Sequence, residues 1–137
     1  MERTLGILKP DCLRRRLMGK VINRLEDEGF AFVNGMIKHL TQKEAEGFYY
    51  VHKDRSFFDD LVEFMTSGPV FIMLLERENA IAKLREVIGA TDPAQAAPGT
   101  IRREWAESKQ NNLIHASDSL ENAKFEIKYF FSNKSGS

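Results

Sequence analysis

The sequence predicts an α/β chain of the α+β kind, in which helices pack on an antiparallel four-stranded sheet in the order βαββαβ. Short apolar runs of strand length alternate with segments whose apolar residues recur at helical spacing. Glycine, proline and capping residues stand between these segments. The 137 residues, 42% hydrophobic and 29% charged, suffice for one compact domain with a buried core.

The first part of the chain contains two predicted strands. Residues 4–8 form a short apolar run that stops at Lys9-Pro10, because the residue before a proline is held in extended geometry. Apolar residues then recur at helical spacing over 17–25, and Gly29 suits the end of that helix. Residues 30–40, rich in aromatic and aliphatic side chains, form the second strand. Lys9 is therefore expected at a strand end.

The middle of the chain predicts two short helices and then the central strand. Thr41 and Glu44 have the spacing of a capping box, which opens the first helix. The second helix is expected over 57–65. Residues 70–75 form the most apolar run in the chain, which is typical of a central strand.

A further helix follows, with Asn79 as its predicted cap and Gly89 at its end. The stretch 90–112 shows little periodicity, and structureless segments beyond ~12–15 residues are uncommon in compact domains. Because this stretch contains Ile101 and Trp105, we expect it to be ordered.

The last part of the chain supplies a short strand that ends at His115 and a final helix over 120–131. The complete order βαββαβ is the split βαβ, ferredoxin-like arrangement, for which we expect helices over one face of the sheet. No linker or repeat interrupts it, so residues 1–137 are predicted to form a single domain. Residues 132–137 are expected to be a polar, frayed tail.

Composition excludes several classes of protein. The single cysteine, Cys12, excludes an intrachain disulfide, and three widely spaced histidines would leave a zinc site dependent on carboxylates. Twenty basic residues balance twenty acidic ones, so no overall charge favours nucleic acid. No apolar run is long enough to span a membrane, and the N-terminus lacks the apolar core of a signal peptide. We therefore expect a cytoplasmic protein without membrane contact.

The segment 112–119, Asn-Leu-Ile-His-Ala-Ser-Asp-Ser, places His115 directly before a helix start. Any of residues 117–119 suits the helix cap, and Asp118 with Glu121 has the spacing of a capping box. The N–H groups and partial positive charge of a helix start suit an incoming anion. The alternative is a structural histidine beside a cap.

Several cationic or hydroxyl side chains fall on predicted strand ends, loops and the helix before the long stretch: Lys9, Arg55, Arg85, Thr91 and Arg102. Together they would suit phosphate oxygens, although each alone is more typical of a solvated surface charge. No glycine-rich phosphate motif occurs, so side chains would have to hold any phosphate. Phe57 and Tyr49 flank the loop around Arg55, where an exposed aromatic could stack on a nucleobase. The alternative is a place in the core.

Glu126 lies on or beside the apolar stripe of the final helix. A carboxylate there is costly unless it is paired or hydrogen-bonded. One available partner is the His115 imidazole, whose tautomer the carboxylate would fix, leaving the other ring nitrogen as a nucleophile. The alternative is a glutamate that faces water.

Four segments carry a family resemblance: Lys9-Pro10-Asp11, residues 49–58, Ala97-Pro98-Gly99-Thr100-Ile101-Arg102 and residues 112–119. Together they resemble the nucleoside diphosphate kinase family. The resemblance extends from about residue 3 to residue 131. The pattern Asn-x-x-His-x-Ser-Asp-Ser with an upstream Pro-Gly-Thr-Ile-Arg is highly specific, whereas Lys-Pro-Asp alone is weak.

The resemblance implies a ping-pong transfer of the γ-phosphate from a nucleoside triphosphate to a nucleoside diphosphate through a phosphohistidine. His115 matches the phosphorylated histidine, Glu126 the acid that orients it, and Ser117 the hydroxyl beside it. Positions that contact the nucleotide are matched by Lys9, Tyr49, Arg55, Phe57, Leu61, Arg85, Thr91, Arg102 and Asn112, with Lys9 and Tyr49 also in catalytic roles. Stacking on Phe57 implies low base specificity. The implied cofactor is Mg²⁺, which we expect on the nucleotide phosphates with no dedicated protein ligand.

The sequence departs from the family pattern in three places. Ala116 stands where glycine is usual, Ser56 where proline is frequent, and Lys109-Gln110 where glycine-arginine or a similar pair is common. The resemblance also implies a homo-oligomer, a tetramer or hexamer built from dimers. The alternative is a non-catalytic ferredoxin-like domain that binds nucleotides or nucleic acid. Balanced charge argues against nucleic acid, and such a domain should have lost His115 or Lys9.

Overall fold

The computed structural model describes residues 1–131. The strands are β1 Glu2–Leu8, β2 Ala31–Lys38, β3 Val70–Arg77 and β4 Ile114–Ala116. The helices are α1 Pro10–Arg14, α2 Met18–Asp27, α3 Gln42–Phe48, α4 Phe58–Met65, α5 Ala80–Ile88, α6 Ile101–Trp105 and α7 Leu120–Phe131, with 3₁₀ turns at Tyr50–His52 and Pro93–Gln95. The tail predicted over 132–137 lies outside the described residues.

The strands form one antiparallel sheet in the order β2-β3-β1-β4. This order confirms the predicted ferredoxin-like arrangement, and β3 is central because it pairs with both β1 and β2. The short ladder between β1 and β4 sets His115 directly opposite Ile7. Lys9 follows two residues after Ile7, just beyond the end of β1. The pairing of β4 with β1 therefore sets the imidazole at the end of β1 that leads into Lys9.

Helices cover both faces of the sheet, so the prediction of helices over one face is wrong. Leu5 and Ile7 pack in a core with α3, α4 and α7, whereas Leu8 packs in a second core with α2, α5 and α6. Every residue of β1 from 4 to 8 is buried. A strand covered on both faces has a continuous apolar run instead of alternation, and residues 4–8 have such a run.

The structure confirms one predicted helix cap, at α3, and differs from another, at α5. The Thr41 side chain accepts from the Glu44 N–H, and the Glu44 carboxylate accepts from the Thr41 N–H, which confirms the predicted capping box. Asn79 precedes α5 as predicted, but its backbone is left-handed (φ 54°) and its side chain makes no cap bond. The carboxylate of Glu2 accepts the Ile81 N–H instead.

The start of α7 lies immediately after the β4 strand that carries His115. The Ser119 hydroxyl caps it by accepting from the Asn122 N–H at 3.0 Å. The capping box predicted from Asp118 and Glu121 is therefore wrong, because the helix begins one residue later than that pattern requires.

The long unperiodic stretch is ordered, as predicted. It contains a 3₁₀ turn and α6, whose Ile101 is fully buried and whose Trp105 packs against the same core. Helices α6 and α1 were not predicted, since each has five residues, too few for a helical period to show in the sequence. The turn after β1 and the helix α6 matter because they position Lys9 and Arg102.

Candidate active site

His115, Glu126 and Ser117 form a hydrogen-bonded group between β4 and α7. Nε2 of His115 lies 3.0 Å from Oε1 of Glu126, and the Ser117 hydroxyl donates to the same oxygen at 2.7 Å. The pairing that we expected from the position of Glu126 is therefore present, and the glutamate does not simply face water. Since a carboxylate accepts, Nε2 carries the hydrogen and the lone pair remains on Nδ1.

Aromatic side chains at the end of α3 fix the plane of the imidazole. The rings of Phe48 and Tyr49 meet the His115 ring edge-on, with centroids 5.2 and 5.8 Å away. The Tyr49 hydroxyl is buried and has no hydrogen-bond partner among the described residues. Burial, with the negative charge of Glu126 adding to it, raises the pKa of Tyr49. The hydroxyl is thus a neutral group beside the imidazole that no described residue engages.

Lys9 is held at the end of β1 by a chain of polar contacts. Its Nζ donates to Oδ1 of Asn112 at 2.8 Å, and Nδ2 of Asn112 donates to the Thr91 carbonyl at 3.0 Å. Burial, and then the positive charge of Arg102, lower the pKa of Lys9 to about 8, against the opposing effect of the Asp11 charge. An ammonium has three N–H groups, so two are left over for an anion after the Asn112 contact.

Arg102 is buried among backbone carbonyls. Its guanidinium donates to Ile114 at 2.6 Å, Gly89 at 3.0 Å and Asn112 at 3.3 Å. Burial, and then the charge of Arg85, lowers its pKa to about 10, so the group is a cation at neutral pH. Five N–H groups are available in a guanidinium, which leaves two after these three bonds. The arginine both braces the turn before β4 and presents positive charge.

Gly89, whose carbonyl is one of the three acceptors of Arg102, stands at a position that requires a glycine. Its φ of +90° lies in the left-handed region, and a Cβ there would come within 2.6 Å of the Thr100 hydroxyl oxygen. The predicted helix-ending glycine therefore also shapes the site.

A cleft of about 640 Å³ collects most of the predicted site residues. It is lined by Lys9, Tyr49, Phe57, Leu61, Arg85, Thr91, Arg102, Asn112, His115 and Glu126. The His115 side chain is 18% exposed and Phe57 is 45% exposed, so both are accessible from the cleft. Ser117 lies fully buried behind Glu126. Arg55 is exposed on the loop before α4 and is not among the lining residues.

Several lining residues were not predicted as parts of a site: Phe48, Val51, His52, Asp60, Asp118, Asn122 and Phe125. Asn122 precedes Glu126 by four residues, so helical spacing could have found it once Glu126 was assigned. His52 lies with its ring centroid 5.5 Å from that of Phe57, and its sequence neighbours gave no signal for this.

Two of the three departures from the family pattern fall at the cleft. Ala116 and the pair Lys109-Gln110 line it, whereas Ser56 is an exposed loop residue that does not. Ala116 lies in β4 opposite Gly6 and has no positive φ. The backbone after His115 therefore accepts a Cβ without strain.

Comparison with known proteins agrees with this geometry. A family model described as nucleoside diphosphate kinase matches residues 2–135. The chain belongs to the nucleoside diphosphate kinase family. The nucleoside diphosphate kinase of Myxococcus xanthus is 57% identical over 131 residues, 96% of this chain and 90% of that protein. The prediction of a phosphotransferase is thereby confirmed, and the non-catalytic alternative is not favoured.

Solved structures of nucleoside diphosphate kinases have the same fold. A crystal form of the Aquifex aeolicus enzyme has a TM-score of 0.94 at 45% identity, covering 98% of this chain and 97% of that one. The Halobacterium salinarum enzyme in complex with CDP has a TM-score of 0.92 at 42% identity, covering 96% and 88%. Within the part of the kinase that the structure describes, no three His, Cys, Asp or Glu side chains cluster to hold a metal. No described helix has the length and apolarity to cross a membrane.

Proposed function

We propose that this kinase moves the γ-phosphate of a nucleoside triphosphate to a nucleoside diphosphate by a ping-pong mechanism through His115. In the first half-reaction the Nδ1 lone pair attacks the γ-phosphorus, the bond to the β–γ bridging oxygen breaks, and a nucleoside diphosphate leaves. In the second, a β-phosphate oxygen of another nucleoside diphosphate attacks the same phosphorus and the P–N bond breaks. Covalent catalysis thus divides one transfer into two similar displacements.

The orientation of His115 is the observation that carries the proposal. Its Nε2 is committed to Glu126, and no described residue hydrogen-bonds Nδ1. Phe48 and Tyr49 keep the ring in one plane. As the P–N bond forms, positive charge develops on the ring, and a carboxylate 3.0 Å away stabilises it.

Buried donors around the cleft support the phosphoryl group. Lys9 and Arg102 are cations with unused N–H groups, and the Tyr49 hydroxyl has no described partner. Charges that are already desolvated and fixed stabilise a phosphoryl transition state with little reorganisation. We assign the remaining contacts to phosphates or ribose to Arg55, Arg85, Thr91 and Asn112.

We propose that Mg²⁺ arrives with the nucleotide and is held mainly by its phosphates and water. The Glu126 carboxylate is engaged by His115 and Ser117, and the Asp118 carboxylate accepts from the Asn122 amide. Magnesium keeps several waters and needs few protein carboxylates, so this donor set fits an ion that the phosphates carry. When bound, the ion would neutralise phosphate charge.

The apolar mouth of the cleft suits a nucleobase. Phe57 is half-exposed there and Leu61 lies one helical turn further along α4. Stacking on an aromatic ring is available to every base, so we propose low base specificity. The relative from H. salinarum was solved with CDP, a pyrimidine nucleotide.

Labelling with γ-labelled ATP tests the mechanism. The wild type should acquire an acid-labile, alkali-stable label, as a phosphohistidine does, and His115→Ala should not, while still binding nucleotide. The matched control is His39→Ala, since His39 is exposed, contacts the Thr66 carbonyl and lies outside the cleft. His52→Ala is a second control, because His52 also lines the cleft. A label retained in His115→Ala, or lost in His52→Ala alone, would exclude His115 as the nucleophile.

We propose that the chain acts as one catalytic domain within a cytoplasmic homo-oligomer, a tetramer or hexamer built from dimers. Strand β2 is a sheet edge and leaves Ile37 61% exposed and Val33 40% exposed. Exposed apolar side chains on an unpaired edge favour coverage by a second copy. Light scattering measures the assembly, and a monomer at all concentrations would contradict it. The nucleotide substrates support the cytoplasmic assignment.

A further inference from the structure

Asp11 is a buried acid without a role in the mechanism above. It is fully buried in α1, two residues after Lys9, and does not line the cleft. Burial of a carboxylate is costly unless its charge is paired or hydrogen-bonded. We propose that Asp11 is a positioning residue for phosphoryl transfer, which fixes the turn that presents Asn112 and His115 and keeps the Lys9 ammonium charged. This inference rests on the proposed roles of Lys9 and His115.

The first contact of Asp11 holds the backbone just before His115. Oδ2 of Asp11 accepts the Leu113 N–H at 3.2 Å, across 102 residues of sequence. The Lys9 N–H donates to the Leu113 carbonyl at 2.8 Å. Both backbone polar groups of Leu113 are therefore held by the segment that follows β1.

These two contacts hold Leu113 in a strained backbone conformation. Leu113 has φ +77°, in the left-handed region that L side chains rarely adopt, and its side chain is fully buried. Such a residue persists when its surroundings fix it from several sides. Leu113 separates Asn112, the partner of Lys9, from the strand that carries His115. Relaxation at Leu113 would move both side chains away from the phosphate site.

The second contribution of Asp11 is its charge. The charged groups that affect the Lys9 ammonium are Arg102 on α6, which lowers its pKa, and Asp11 on α1, which raises it, while Asn112 is a neutral contact. Burial raises the pKa of Asp11. The Lys9 charge opposes that shift most, followed by the backbone N–H groups of Asp11 and Leu113 and then by the Arg14 charge. The two buried groups thus stabilise each other's charged forms.

The unused oxygen of Asp11 distinguishes a charge role from a purely structural one. Oδ1 is buried and has no hydrogen-bond partner among the described residues. An asparagine could accept the Leu113 N–H equally well and would avoid burying a charge. The carboxylate is the better choice only if its negative charge is needed, and Lys9 is the cation that needs it.

The test compares Asp11→Asn with Asp27→Asn, which removes the same charge from an exposed site at the end of α2. Phosphoenzyme formation is measured in single turnovers over the alkaline range. In Asp11→Asn the alkaline limb of the pH–rate profile should move down by roughly one pH unit, since the negative charge that raises the Lys9 pKa is lost. Because the pKa of Lys9 is about 8, a downward shift of that size lowers the charged fraction of Lys9, and with it the rate, by about fivefold near pH 8. Asp27→Asn should match the wild type.

Two further variants separate charge from hydrogen bonding. Asp11→Glu keeps the charge and should keep the limb in place, whereas Asp11→Ala should also accelerate amide hydrogen exchange at Leu113. An unshifted limb in Asp11→Asn, or equal shifts in Asp11→Asn and Asp27→Asn, would overturn the proposal. If Asp11→Asn is too unstable to assay, the other two variants still test the proposal. An alkaline limb displaced in Asp11→Glu would overturn the charge role. Unchanged amide hydrogen exchange at Leu113 in Asp11→Ala would overturn the role in holding the Leu113 backbone. A wild type that forms no phosphoenzyme would instead reject the proposed function itself.

Discussion

Replacement of Glu126 by glutamine should slow phosphorylation of His115 while leaving its position nearly unchanged. Oε1 of Glu126 accepts from both His115 Nε2 and the Ser117 hydroxyl, and a glutamine oxygen can take the same place. The charge is lost, however. A hydrogen bond to an ionised group stabilises by about 1.5–3 kcal/mol, against about 1 kcal/mol for a neutral one. The developing positive charge on the imidazole also loses its counter-ion.

The difference between these two hydrogen bonds, about 0.5–2 kcal/mol, predicts a phosphoenzyme step that is slower by roughly two- to thirtyfold, and loss of the counter-ion slows it further. Glu126→Ala should be slower still, since it also frees the imidazole tautomer. It leaves the buried Ser117 hydroxyl with a single weak contact, 3.4 Å from the Leu5 carbonyl. Neither variant removes the nucleophile, so measurable transfer should remain.

Single-turnover labelling with γ-labelled ATP measures this step directly. Glu121→Gln is the matched control, because Glu121 lies on the same helix, is exposed and loses the same charge. The control should keep the wild-type rate. Wild-type rates in both Glu126 variants would show that the carboxylate has no part in orienting or activating His115, and the assignment of Nδ1 as nucleophile would lose its support.

Three further predictions follow from the burial of the other cleft residues. Since the Lys9 pKa is about 8 when folded and 10.5 in the unfolded reference, the unfolded chain binds more protons between these values. The free energy of unfolding should therefore rise more steeply with pH across that window in the wild type than in Lys9→Met, as denaturation at several pH values would show; the raised pKa of the buried Cys12 thiol acts in the opposite direction in both proteins. Transfer should fall above about pH 8 as the ammonium is lost. Phe57→Ala should weaken the binding of purine and pyrimidine nucleotides alike by roughly five- to 150-fold in calorimetric titrations, for loss of about 1–3 kcal/mol of stacking, without lowering Tm. Unchanged binding would contradict the stacking role. Tyr49→Phe should keep or raise Tm, because it removes a buried hydroxyl without a described partner. The same substitution should slow phosphoryl transfer severalfold. A lower Tm with unchanged transfer would exclude the hydroxyl as a phosphate contact.

The order of elements was predictable because each main element carries its own local signal. The apolar run at 70–75 gave the central strand, and helical spacing gave α2, α5 and α7. The expectation that helices cover only one face of the sheet was avoidable, since the continuous apolar run at 4–8 already indicates a strand covered on both sides. An antiparallel sheet commonly has one face open to solvent, but in this sheet both faces are covered.

Contacts between distant segments could not be predicted in the same way. The Arg102 guanidinium binds the carbonyls of Gly89, Asn112 and Ile114, which lie in two different segments, one on either side of α6. Backbone carbonyls are present at every position, so no residue type marks them as partners in a sequence. The Glu126–His115 pair was predictable because one partner stood out as a carboxylate on an apolar stripe.

The burial of Lys9 and Arg102 explains why the site can act on so highly charged a substrate with so few protein carboxylates nearby. Each cation is held away from water by neutral groups, the Asn112 amide or backbone carbonyls, that orient it without neutralising it. A carboxylate ion pair in their place would cancel the charge that the phosphates need. Asp11 does not line the cleft, so its charge can stabilise the Lys9 ammonium without itself contacting the ligand. The Glu126 carboxylate lines the cleft but accepts from Nε2 of His115, the ring nitrogen opposite the proposed nucleophile Nδ1, so it stabilises the imidazole without occupying the attacking position.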